Sequence, residues 1–92
     1  MEPAFHILLS IKTATGFENF GTFSLGHDKD AASRIFQRLK GNEDISDTDI
    51  LHAALVETKN NLPVNIQLIS CTLKEVAENC AIITKEIFKL LE

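Results

Sequence analysis

The chain has neither tryptophan nor tyrosine, and all six of its aromatic residues are phenylalanine. The two side chains that best combine a stacking surface with a polar handle are therefore missing. Cysteine is scarce: Cys71 and Cys80 stand alone, with no C-x-x-C motif and no paired Cys/His spacing, so zinc and dithiol redox chemistry have no motif to rest on. Cys71 falls at a helix entrance and Cys80 more than two turns inside, a separation that does not suit a disulfide. No apolar run approaches the length of a membrane span, and the opening Met-Glu-Pro lacks the positive region of a signal peptide. These absences lead us to expect a cytoplasmic, reduced protein that does not enter a membrane. Positive charge is in deficit, with nine Lys and Arg against thirteen Asp and Glu. The resulting net charge of -4 makes a small acidic protein that repels phosphate on average and argues against a nucleic-acid partner.

What is present suits one soluble domain over residues 1–92. Its 45% hydrophobic content supports a modest core near the size where stability becomes marginal. In residues 4–13, Phe5, Ile7, Leu9 and Ile11 alternate with polar neighbours, the period of a half-buried strand. Ala14-Thr15-Gly16 reads as a turn, and residues 17–25 as a second strand with Phe17, Phe23 and Leu25 on one face. A three-residue loop pairs Thr13 with Phe17, Leu9 with Gly21, Ile7 with Phe23 and Phe5 with Leu25. Both apolar sets then share one side of the hairpin.

Asp28 reads as the N-cap of a helix with Ala31, Ala32, Ile35, Phe36 and Leu39 as its apolar stripe and Gly41 as its stop. A second helix is expected to open at Ser46, with Asp49 completing a capping box and Ile45 and Ile50 as a staple. Its stripe is Ile50, Leu51, Ala54 and Leu55, and Asn60-Asn61 closes it. Val64, Ile66 and Leu68 mark a third strand. Thr72 and Glu75 then cap a final helix, whose apolar face from Leu73 to Leu91 fills about half its circumference. The expected fold class is α+β: a two-layer sandwich in the order β-β-α-α-β-α, with helices packed on a three-stranded sheet.

Three residues fall on the face of the sheet opposite its expected core: Leu8, Phe20 and Ile69. Together they predict an apolar patch suited to homodimerisation or to a small ligand of unknown class; the plainer account is cover by a helix, or scattered surface apolar residues. Ile82 interrupts the polar face of the last helix and joins them as a candidate interface residue. Cys71 at a helix N-terminus invites a nucleophilic reading with His52 as the base, against a packing role beside Val76. His27-Asp28 resembles an anion site only in position, and Asp28 serves equally as a cap. The acidic group Glu43, Asp44, Asp47 and Asp49 lacks calcium-loop spacing. Arg34, Arg38 and Lys40 form a small basic edge, with Asp30 placed to pair with Arg34.

The β-α-α-β stretch resembles the core of K-homology nucleic-acid modules, in which a G-x-x-G loop between two helices clamps the backbone. The loop here, Lys40-Gly41-Asn42-Glu43-Asp44-Ile45, has one glycine and two carboxylates where phosphate would sit. The resemblance thus implies a nucleic-acid module without its defining motif. A small cysteine-dependent enzyme is the other alternative. The leading expectation is a non-catalytic interaction or regulatory protein, without metal or cofactor. It would bind itself as a homodimer, or another protein, through the open sheet face or the last helix.

Overall fold

The computed structural model describes residues 3–46 and 48–91, the last two of these by backbone alone. Strands β1 (Ala4–Thr13) and β2 (Gly16–Gly26) form a hairpin, followed by helix α1 (Lys29–Gln37), strands β3 (Leu51–Lys59) and β4 (Leu62–Cys71), and helix α2 (Leu73–Leu91). The four strands make one sheet in the order β2-β1-β3-β4, with every neighbouring pair antiparallel. Helix α1 carries the chain over β1, so β2 and β3 lie on either side of the first strand.

This overturns the expected three-stranded sheet and β-β-α-α-β-α order: the segment expected as a second helix is β3. Its residues 52–56 (His-Ala-Ala-Leu-Val) are all buried, because β3 lies inside the sheet and is covered on both faces. A strand buried on both faces reads as a continuous apolar run, and over so few residues that run also satisfies helical spacing. The capping hydrogen bonds read at Ser46 are half present, since the Asp49 carboxylate accepts from the Ser46 N–H at 2.7 Å. That turn leads into a strand, so it is no helix start. Asn60 and Asn61, read as a helix terminus, have φ of 55° and 66° and form the two-residue turn of the β3–β4 hairpin. Successive left-handed residues give such a turn the twist of its flanking strands. With no second helix, the resemblance to a K-homology core loses its β-α-α-β basis.

The β1–β2 hairpin keeps two of the expected pairs, Leu9 with Gly21 and Ile7 with Phe23. Register shifts between Phe5 and His6 and between Leu9 and Ser10 change the others. Phe5 faces Gly26, Thr13 faces Gly16, and Phe17 lies opposite Lys12 on the face away from the core. A bulge adds one residue to one strand and so inverts the side on which every later residue projects.

One face of the sheet is covered by both helices. Phe5, Ile7, Leu9, Ala53, Leu55 and Ile69 from the strands meet Ala32, Ile35, Phe36, Val76 and Ile83 from the helices in a single core. Burial of each large side chain contributes roughly 1.5–3 kcal/mol. Asp28 caps α1 by accepting from the Asp30 and Ala31 amides. Thr72 and Glu75 cap α2 reciprocally, at 3.1 and 2.9 Å. Gly41 is no helix stop, since α1 ends at Gln37. A β-carbon at Gly41 would lie 2.6 Å from the Ser70 carbonyl oxygen, so glycine is needed for close passage along β4.

Candidate functional site

The face of the sheet turned away from the helices holds a groove of about 390 Å³. It runs along β3, whose His52 and Ala54 form the floor at 5% and 7% exposure. Leu8 and Ser10 on β1 stand on one side, and Asn65 and Leu68 on β4 on the other. Two departures from regular structure complete it. The bulge in β2 brings Phe17 to this face, where its ring stands edge-on to His52, with centroids 4.7 Å apart and planes at 76°. The segment after α1 supplies the other wall. Asn42 pairs with the outer edge of β4 at Ser70, through N–H···O bonds of 2.8 and 2.9 Å. The chain then passes round that edge and places Ile45 and Ser46 over the groove.

Asn79 holds this wrapping segment in place. It is fully buried on α2; its Oδ1 accepts from the Lys40 amide at 2.7 Å and its Nδ2 donates to the Lys40 carbonyl at 2.8 Å. Nothing in the sequence pattern marks Asn79 except a polar residue where α2 turns toward its core. Ion pairs from Arg38 to Glu86 and from Lys40 to Glu78 tie the same region to α2 at the surface.

His52 is the unusual member of the groove. Its Nδ1 is buried and has no hydrogen-bond partner. A buried polar atom left unpaired costs on the order of 1–3 kcal/mol. The Ser10 hydroxyl, a near neighbour on the same face, is already used, donating to Asn19 Oδ1 at 2.8 Å.

Of the residues singled out by sequence, Leu8 and His52 meet in the groove, and the other candidate interface residues do not join them. Phe20 sits at the β2 bulge, half exposed, and does not line it. Ile69, expected on the open face, pairs with Ala53 and is buried in the core at 8% exposure. A strand entered through a bulge at Ile66 has its later residues displaced by one, which turned Ile69 inward. Ile82 lies on the side of α2 nearer α1, half buried beside Arg38 and Glu86.

Cys71 does not support nucleophilic chemistry. Desolvation, then the charge of Glu75, pushes its thiol up to about 11, although a hydrogen bond from Asn79 opposes the shift. Its Sγ faces the Lys40 carbonyl and Asn79, and His52 lies on the other face of the sheet. Cys80 packs partly buried against the core. His27 bonds the Pro3 carbonyl and Asp28 spends its carboxylate on the cap. Among the described residues no group of His, Cys, Asp and Glu is arranged to hold a metal; Asp47 lies outside them. Arg34 makes no ion pair with Asp30 among the described residues. No described helix is long and apolar enough to cross a membrane.

A second surface is apolar without being a groove. On α2, the flank away from α1 carries Leu73, Ala77, Ala81, Thr84 and Phe88, all exposed and none charged. Leu73 and Phe88 are 76% and 64% exposed. The pairing register puts Leu62 and Val64 of edge strand β4 on the same side of the sheet as the helices, opposite Lys59 and Glu57. They extend past the helices' cover at 69% and 61% exposure.

No family model, curated protein or solved structure matches this chain.

Proposed function

We propose that the chain is a non-catalytic interaction protein that associates with a second copy of itself through the free flank of α2 and the adjoining side chains of β4. The observation carrying this reading is the exposure of Leu73 and Phe88 on the uncharged flank of α2, with Leu62 and Val64 exposed on the same side of the sheet. Large apolar side chains exposed along one side of the molecule are the usual mark of a protein–protein contact. Two molecules of net charge -4 repel on average, and the uncharged flank of α2 lets two copies meet where that repulsion is least. A two-fold arrangement also closes on itself, so it buries the flank on both copies and stops there.

The raised thiol of Cys71 and its separation from His52 support the non-catalytic part of the reading. The two free cysteines suit a reducing compartment such as the cytoplasm.

Light scattering on the wild-type chain at micromolar concentration is expected to give twice the monomer mass. Phe88→Glu and Val64→Glu are expected to give the monomer mass with unchanged far-ultraviolet circular dichroism. A wild type that stays monomeric removes the proposal, and dimers in both variants move the interface elsewhere.

A further inference from the structure

We propose that the groove along β3 is a binding site for a small uncharged molecule with a flat apolar body and one hydroxyl, the phenol or alcohol class, and that the hydroxyl bonds His52 Nδ1. This inference is independent of self-association, because the groove and the free flank of α2 lie on opposite faces of the sheet.

The volume of about 390 Å³ falls within the ~300–1,000 Å³ of small-molecule sites, and its apolar lining is interrupted by polar side chains, Lys12 and His52 among them. Leu8, Leu68, Ala54 and Phe17 supply the apolar surface. The floor and the β1 and β4 sides belong to a sheet held from behind by the core, so that part of the cavity exists before a ligand arrives.

His52 indicates what the ligand must carry. His52 lines the groove at 5% exposure and its Nδ1 is buried without a partner, so a hydrogen-bonding capacity is left unmet beside the cavity. A neutral imidazole presents at Nδ1 either a bare nitrogen or an N–H, depending on tautomer. A hydroxyl both donates and accepts, and therefore satisfies either form. A carboxylate only accepts, so it satisfies the N–H form alone.

Access runs past Phe17. Its ring stands edge-on to the imidazole and Phe17 is 56% exposed, outside the core; binding at Nδ1 requires this ring to turn aside, since Nδ1 is buried. That ring occupies this face only because of the bulge between Leu9 and Ser10. Bulges beside binding sites commonly re-aim a single side chain in this way.

The test uses 2-naphthol and 2-methylnaphthalene, two probes of one shape that differ in the hydroxyl, followed by protein-observed NMR with long-range detection of the imidazole nitrogens. Saturable shifts are expected at Leu8, Ala54 and Leu68 with both probes, and a shift of His52 Nδ1 with 2-naphthol alone. In His52→Phe the groove shifts persist. The ratio of the two dissociation constants is expected to change by about tenfold, the value of one hydrogen bond. Should His52→Phe fail to fold, the wild-type comparison decides, with an Nδ1 shift expected from 2-naphthol and none from 2-methylnaphthalene. Non-saturable shifts, shifts outside the groove, an unmoved Nδ1 resonance, or an unchanged ratio in His52→Phe would each overturn the proposal.

Discussion

Asn79 is a single buried amide that meets both polar groups of one backbone unit, the N–H and the C=O of Lys40. Asn79→Leu keeps the volume but orphans both groups, each worth about 1–3 kcal/mol when buried and unpaired. We expect it to lower unfolding free energy by roughly 2–4 kcal/mol in urea titrations; a loss below about 1 kcal/mol would mean that water takes over the amide's role. Cys71, beside it, gives a pH dependence whose sign follows from the raised thiol. Burial raises the folded chain's thiol to about 11, from an ordinary value of 9.0. The stability this contributes is whole below pH 9 and is lost as pH rises through 11, because over that interval the unfolded chain binds fewer protons. Cys71→Ala should therefore show a shallower decline than wild type across this window. Equal slopes would show that the thiol is not desolvated in solution.

At the scale of elements, legibility followed whether one face or two was buried. β1, β2 and β4 each have a helix-covered face and an open one, and alternation marked them. α2 was marked by its cap and its period. β3 lies between β1 and β4 with cover on both sides, so it lost the alternation that identifies a strand. The remaining signal was Asn60-Asn61, a pair tolerant of positive φ, placed between an apolar run and an alternating one. Asn60→Val forces a β-branched side chain into that region and is expected to cost about 1–2 kcal/mol in thermal or chemical melts. Asn61→Gly should be neutral or slightly stabilising. Similar losses for both would show that the side chains, and not the backbone angles, make the turn. The groove was partly legible through Leu8. Its other parts depend on the β2 bulge and on the segment rounding the edge of β4, and neither leaves a mark in local sequence.

For the whole molecule, the two faces of the sheet have divided roles. The helix side provides the core and, past its margin, the apolar strip assigned to a second copy. The other side holds the groove. If the strip is an interface, melting temperature will rise with protein concentration, since association stabilises the folded state by mass action. The increase should vanish in Phe88→Glu, and a melting temperature independent of concentration in the wild type would argue for a folded monomer. Exposed pairs such as Lys40–Glu78 add little at this scale, because solvent screens them.

The position of β1 between β2 and β3 has a consequence for how the chain comes into being. During synthesis β2 follows β1 almost at once, but the partner for β1's other side ends only at Lys59. Until then the nascent hairpin presents an open hydrogen-bonding rim along its most apolar strand, with Ile7 and Leu9 uncovered. A neighbouring nascent chain on the same messenger would offer an identical rim. The interval between residues 13 and 51 is thus when mispairing threatens, and α1, made within it, can shield that surface.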